Sequence, residues 1–138
     1  MEEQHEIQLI GNDQPLTATF SLLMNDGGYC DLTCTFVNRT IRAREWDFFE
    51  ALCTIRKELE RSGLRPHCYG ASLNAFPSAM SRDMGKGLAV YQCRMGKPGE
   101  KSDLVKTFAT GDDVILRSVA EQKQYRTEWF ESLGNRTD

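Results

Sequence analysis

Hydrophobic and polar residues alternate along the first third of the chain. In LTATFSLLM (16–24), apolar residues occupy every second position from Leu16 to Met24, with Thr17, Thr19 and Ser21 between them. A period of two is typical of a strand with one buried face. NDGG (25–28) supplies residues that tolerate positive φ, and the alternation resumes in YCDLTCTFV (29–37). We therefore predict a β-hairpin, with RTIRAR (39–44) extending the sheet.

The period then changes to that of a helix. In DFFEALCTIRKELERSG (47–63), four apolar residues share one stripe, namely Phe48, Leu52, Ile55 and Leu59. Asp47 is a suitable N-cap with Glu50 three residues later, and Gly63 suits the left-handed residue that ends a helix. This pattern places Arg56, Lys57, Glu58 and Glu60 off the stripe.

The second half predicts shorter elements and one further long helix. RPHCYG (65–70) and GLAVYQCRMG (87–96) have the pattern of strands, with a short helix between them that Ser78 caps. SDLVKTFATG (102–111) fits a short helix or an edge strand. SVAE (118–121) is a capping box that opens a last helix ending at Gly134. We predict one α+β domain over residues 1–138, a mostly antiparallel sheet with two main helices packed on one face.

Composition indicates a cytoplasmic protein that is not a membrane protein. The chain has 138 residues, 40% hydrophobic and 27% charged, with a net charge of −3. MEEQHEIQLIG at the N-terminus lacks the basic and apolar regions of a secretory signal. No apolar run approaches the roughly 18 residues that a membrane span requires. The cysteine count is five, an odd number that favours reduced thiols over a disulfide framework.

The cysteines suggest metal or nucleophile chemistry that the strand pattern disfavours. Cys30 and Cys34, together with His67 and Cys68, offer the ligand types of a zinc site. Cys30 and Cys34 nevertheless lie on the same strand face as Leu32, which favours buried core thiols. His67 and Cys68 are adjacent in a predicted strand, so their side chains point to opposite faces. We predict no metal site, no cofactor and no catalytic residue.

Charge is segregated along the chain. Residues 1–31 contain six acidic residues and no Lys or Arg, whereas residues 32–99 contain eleven basic and six acidic residues. An acidic edge of this kind can steer a basic partner. Nucleic acid is a poor candidate, because the chain is net acidic and Arg39, Arg42 and Arg44 lack the interleaved aromatic residues of single-strand binders.

The segment RPHCYGASLNAFPSAMSRDMGKG (65–87) concentrates polar side chains between two predicted strands. One interpretation is a rigid corner, in which Ser78, Arg82 and Asp83 bind backbone groups. The other is a pocket for a small polar or anionic ligand, since Arg suits carboxylate and phosphate groups. Its candidate ligand-binding residues are Tyr69, Ser72, Asn74, Ser78, Arg82 and Asp83.

The same segment carries a resemblance to known proteins. CYGAS (68–72), Asn74, PSAMSRDMGKGL (77–88) and EWFESL (128–133) resemble a set of small uncharacterised bacterial proteins, over a core from Phe48 to Leu133. In size, α+β build and acidic character the chain is similar to bacterial immunity proteins. That similarity implies a protein that binds and neutralises a cognate toxin.

Three functions follow as hypotheses. The first is a protein-binding module without catalysis, an immunity-type inhibitor that covers a basic toxin surface. Its candidate partner-binding residues are Asp13, Asp26, Asp31, Tyr69, Arg82, Asp112 and Asp113, with Trp129 as a further aromatic anchor. The second is a small-ligand binder or enzyme with a pocket over residues 69–83. The third is a homodimeric structural or regulatory protein that pairs through a sheet edge.

Overall fold

Four long strands form an antiparallel meander at the start of the chain. A computed structural model describes residues 2–134 and places β1 at Glu2–Ile10, β2 at Leu16–Met24, β3 at Cys30–Phe36 and β4 at Arg39–Glu45. In the register, Phe20 lies opposite both His5 and Cys34. The predicted hairpin and its extension are confirmed, with Cys30 and Cys34 both fully buried.

Helix α1 (Phe48–Arg61) covers one face of this meander. It begins as predicted, because the carboxylate of Asp47 accepts a 2.8 Å hydrogen bond from the amide of Glu50. It ends just before Gly63, whose φ of 71° is left-handed. Leu52, Ile55 and Leu59 are fully buried against the sheet. The apolar stripe predicted from the sequence is therefore the contact surface of the helix.

The second half of the chain builds a smaller sheet. After β5 (Arg65–Pro66) come β6 (Ala75–Phe76), α2 (Ala79–Asp83), β7 (Ala89–Gln92), β8 (Leu104–Lys106) and α3 (Val119–Gly134). The strands pair in the orders β4-β3-β2-β1-β5 and β6-β7-β8, and every pairing is antiparallel. The predicted α+β class is confirmed.

The two long helices meet different parts of this fold. Helix α1 packs on the large sheet, whereas Val119 of α3 packs with Phe49 and Cys53 of α1 and with Ala75 and Val90 of the small sheet. The predicted return strand at 65–70 is only two residues long, because a 3-10 turn over Tyr69–Ala71 replaces its second half. The ambiguous stretch at 102–111 contains both a 3-10 turn (Lys101–Asp103) and β8.

Arg56 of α1 is buried, although the sequence places it off the apolar stripe. Only 1% of its surface is exposed, and burial lowers the pKa of its guanidinium. The guanidinium donates to the side-chain oxygen of Gln122 on α3, and at 3.0 Å to the carbonyl of Arg117. The side-chain amide of Gln122 in turn donates to the carbonyls of Gly70, Ser72 and Ala75 at 2.8–3.1 Å. This Arg56–Gln122 network ties both long helices to the middle of the chain.

Candidate functional site

The polar side chains of segment 65–87 mostly bind the chain itself. Ser72 is fully buried, and its hydroxyl donates to Asn74 at 3.1 Å and accepts from the amide of Ile115 at 2.9 Å. The side-chain amide of Asn74 donates to the carbonyl of Cys93 at 3.2 Å, and the backbone carbonyl of Asn74 accepts from the backbone amide of Cys93 at 2.7 Å. These bonds tie the stretch just before β6 to the end of β7 and to the loop before α3, which supports the architectural interpretation of this part of the segment.

Arg82 turns inward and clamps α2 to the start of α1. Its Nε lies 3.0 Å from Oδ2 of Asp47, and one terminal nitrogen lies 3.0 Å from Oε1 of Glu50. Desolvation opposes its charge, yet the hydrogen bond and charge of Asp47, with those of Glu50, raise the pKa of Arg82. The Ser78 hydroxyl caps α2 through a 3.0 Å bond from the amide of Ser81. Of this candidate set, Asp83 is left exposed to solvent.

Tyr69 and Asp113 form a contact that the sequence did not predict, although each was a candidate. The Tyr69 hydroxyl donates to Oδ1 of Asp113 at 2.8 Å, and the side-chain amide of Gln92 donates to Oδ2 of Asp113 at 2.9 Å. These two hydrogen bonds lower the pKa of the Asp113 carboxyl, and the bond to Asp113 raises the pKa of Tyr69. The pair braces the loop after β8 against the small sheet.

The remaining acidic candidates are spread over the surface. Asp13 lies in the loop before β2 and Asp26 in the turn after it, so one strand length of about 30 Å separates them. Asp31 on β3 is paired with Arg44 of β4 at 2.6 Å, and the hydrogen bond from Arg44 lowers the pKa of Asp31. The structure therefore does not gather the predicted acids into one cluster.

Asp112 lies beside an acidic residue that the sequence analysis missed. A groove of about 380 Å³ runs along β1, with Glu6, Gln8 and Ile10 on one side and Thr110, Gly111 and Asp112 on the other. Among the described residues that line it, none is Lys or Arg. The signal for Glu6 was present in EEQHEIQLI, where polar residues alternate with Ile7 and Leu9.

Strand β1 also has an open edge over most of its length. Its second neighbour, β5, pairs only with Leu9 and Ile10, and the amide of His67 adds one bond to the carbonyl of Gln8. In the described part of the chain, no strand pairs with this edge over residues 2–7. Glu2, Glu3 and Glu6 are exposed along it. We call residues 2–7 with Asp112 the acidic edge.

The sheet face away from α1 is polar, and the charge of its side chains changes from β1 to β4. In one row across it, Glu2, Leu23, Asp31 and Arg44 lie opposite one another on successive strands. The exposed arginines of this face are on β4, at the far side from β1. The long-range charge segregation of the sequence therefore becomes a gradient across a single sheet, acidic at β1 and basic at β4.

The buried thiols and His67 have surroundings that the structure defines. Burial raises the pKa of Cys34 to about 12 and that of Cys68 to about 11, which keeps both thiols protonated. Nδ1 of His67 lies 2.6 Å from the hydroxyl of Thr110. Within residues 2–134, no three His, Cys, Asp or Glu side chains are close enough together to hold a metal ion.

A second groove lies where α3 passes the small sheet, and the sequence analysis missed all of it except Ser78 and Trp129. It encloses about 420 Å³. Its walls come from β6 and the start of α2, from β7 and the loop after it, and from one face of α3, and are formed by Phe76, Pro77, Ser78, Ala79, Tyr91, Cys93, Gly99, Arg126, Trp129 and Phe130. The signal was the run YRTEWF (125–130), which places aromatic and basic side chains together on one helix. We call this the aromatic groove.

A scan against protein-family models matches no family, and a search of curated proteins finds no similar sequence. None of the helices in the described range 2–134 is both long enough and apolar enough to cross a membrane.

Proposed function

We propose that this chain is a protein-binding module of the immunity type, which holds a basic segment of a cognate bacterial toxin against its acidic edge. The observation that carries the proposal is the coincidence of two features on β1. No strand in the described part of the chain pairs with the β5 side of β1 over residues 2–7, and Glu6 and Asp112 line the groove beside it.

The chemistry of such an edge selects an extended, positively charged partner. An open strand offers N–H and C=O groups to a further strand, while side chains at alternate positions supply specificity. The Glu2 and Glu6 carboxylates are exposed and available to Lys or Arg side chains of that strand. Complementary charge also accelerates association at low ionic strength. Inhibition then follows from occlusion of the toxin surface that the partner strand belongs to.

The same charges disfavour a symmetric homodimer through β1. Two copies paired edge to edge would place Glu side chains against one another, and like charges directly opposite destabilise a strand pair. Acidic side chains on an edge strand are a known means of preventing self-association. A partner of opposite charge is therefore favoured over a second copy of this chain.

The test begins with the protein encoded beside this gene in the source organism. The expected result is a stoichiometric complex on native mass measurement, together with restored growth of cells that produce the neighbouring protein and this chain. A clean homodimer that does not bind the neighbour, or a complex that gives no protection, contradicts the proposal.

Charge reversal at the acidic edge identifies the surface. We expect Glu6→Lys with Asp112→Lys to weaken the complex by about tenfold or more and to reduce the salt dependence of the association rate. Neither side chain belongs to an ion pair among the described residues, so folding should be retained. The matched control is Asp83→Lys, an exposed acid on α2, which should leave the affinity unchanged.

A further inference from the structure

The aromatic groove combines apolar walls with a cation that has no acidic partner. The guanidinium of Arg126 lies 5.2 Å from the centre of the Phe130 ring. Among the described residues, no carboxylate lies within ion-pair distance of it. Arg126 is half-buried, so its charge is only partly hydrated. A half-buried cation of this kind is available to an incoming anion.

The walls of the groove are held in place by hydrogen bonds to backbone. The indole N–H of Trp129 donates to the carbonyls of Arg94 and Lys97, each at 3.0 Å. The backbone of Cys93 is fixed by two hydrogen bonds with Asn74, one from the side-chain amide of Asn74 and one to its backbone carbonyl. Ligand sites are usually preformed concave spaces with mostly apolar walls and a few polar groups. The volume of about 420 Å³ lies in the range of such sites.

A smaller groove next to the aromatic groove extends the positive charge away from the apolar walls. It shares Phe76 and Arg126 with the aromatic groove and adds Lys57 and Lys123, both exposed. Its other charged residues, Glu50 and Arg82, already pair with each other. Arg126 therefore lies at the boundary between an apolar space and a basic surface.

From this arrangement we propose that the aromatic groove binds a small amphipathic anion, with an aromatic or aliphatic body against Tyr91, Trp129 and Phe130 and its anionic group at Arg126. The anionic group can be a carboxylate, a sulfonate or a phosphate, since each accepts hydrogen bonds from a guanidinium. The site lies between α3 and the small sheet, away from β1, and does not depend on the toxin-binding proposal.

Two fluorescent probes that share a ring system test the two halves of the site separately. Anilinonaphthalene sulfonate carries an anionic group, and phenylnaphthylamine is its uncharged counterpart. We expect saturable one-to-one binding of the sulfonate to the full chain. Arg126→Gln should lower the affinity for the sulfonate by about tenfold, and should change the affinity for phenylnaphthylamine by less than about twofold. Phe130→Ala should weaken both probes to a similar extent.

Matched variants exclude general surface binding and unfolding. Arg61→Gln removes an exposed positive charge from α1, and Val37→Ser removes an apolar side chain that is 79% exposed. Neither should change the affinity of either probe, and the melting temperatures of all variants should match that of the parent. The proposal is overturned if the sulfonate does not saturate, if Arg61→Gln weakens it as much as Arg126→Gln does, or if Phe130→Ala has no effect.

Discussion

At the residue scale, the interior depends on a charged side chain, Arg56, that forms no ion pair within residues 2–134. The guanidinium of Arg56 is surrounded by oxygen acceptors from Gly70, Arg117 and Gln122. Burying a cation is unfavourable unless its N–H groups find acceptors. Gln122 is well suited to this role, because its side-chain oxygen accepts from Arg56 and its two N–H groups are shared among three backbone carbonyls.

Removing that amide should therefore be costly. We expect Gln122→Leu to lower the free energy of unfolding by about 3 kcal/mol, because it removes the side-chain acceptor of a buried cation and the side-chain donor to buried carbonyls. Urea unfolding measures the loss, and Gln124→Leu, at an exposed position of the same helix, serves as the control. Adding Arg56→Met to Gln122→Leu should recover part of the stability. A loss below about 1 kcal/mol would contradict this account of the core.

At the scale of the element, two glycines with the same backbone angle occupy very different surroundings. Both Gly63 and Gly87 have a φ of 71°. A Cβ at Gly63 would have no atom within 4 Å, whereas one at Gly87 would lie 2.8 Å from both Oδ1 of Asp47 and the amide nitrogen of Phe49. The close approach at Gly87 lets the loop after α2 reach the first turn of α1. There the backbone carbonyl of Lys86 accepts a hydrogen bond from the backbone amide of Phe48.

Substitution by alanine separates backbone strain from crowding. Gly63→Ala should cost about 1 kcal/mol, which is the penalty of a left-handed conformation alone. Gly87→Ala should cost about 3 kcal/mol, because the added methyl group also displaces the cap of α1. Thermal and urea unfolding of the two variants measure the difference. Equal losses would show that the contact with α1 does not constrain the loop.

The elements that follow a clear period were predictable, and those set by distant contacts were not. Strands β2 and β3, helix α1 with its Asp47 cap, and the Ser118 capping box of α3 all follow from local sequence. Strand β1 was missed, because only Ile7 and Leu9 give it an apolar face among acidic residues. Burial of Arg56 was missed because its partner is Gln122, 66 residues away in the chain.

The candidate sites divide in the same way. The Ser78 cap of α2 and the Ser72–Asn74 hydrogen bond follow from turn and capping chemistry, which acts over a few residues. The bonds of Ser72 to Ile115 and of Asn74 to Cys93 join distant parts of the chain. The acidic edge and the aromatic groove each require residues from separate elements to meet. Asp112 joins Glu6 only through the path of the loop after β8, and Arg126 joins Tyr91 only when α3 packs on the small sheet. No local pattern contains that information.

At the scale of the whole molecule, the two sheets should unfold together. The Arg56–Gln122 network connects α1, which covers the large sheet, with α3, which packs against the small sheet. Each region has its own tryptophan. Trp46 stacks on Tyr29 at a ring distance of 4.2 Å next to the large sheet, and Trp129 borders the small one.

Variants that retain one tryptophan can test this coupling. In both Trp46→Phe and Trp129→Phe, the remaining fluorescence should change at the same urea concentration as the far-ultraviolet circular dichroism. Coincident curves are expected because the shared core cannot open on one side alone. If Trp129 fluorescence changes well before the circular dichroism, the small sheet and α3 form a separate cooperative unit.

The place of Gln122 in the chain has a consequence for folding during synthesis. The meander of β1–β4 and helix α1 are complete by residue 61 and can associate as soon as they leave the ribosome. The carbonyls of Ser72 and Ala75 accept from Gln122, a donor that is translated 47 residues or more later. Until then Arg56 has no side-chain acceptor in the core and keeps its hydration. The nascent chain should therefore hold its first half as an incompletely packed sheet and helix, with its middle open to solvent and chaperones, until α3 completes the shared core.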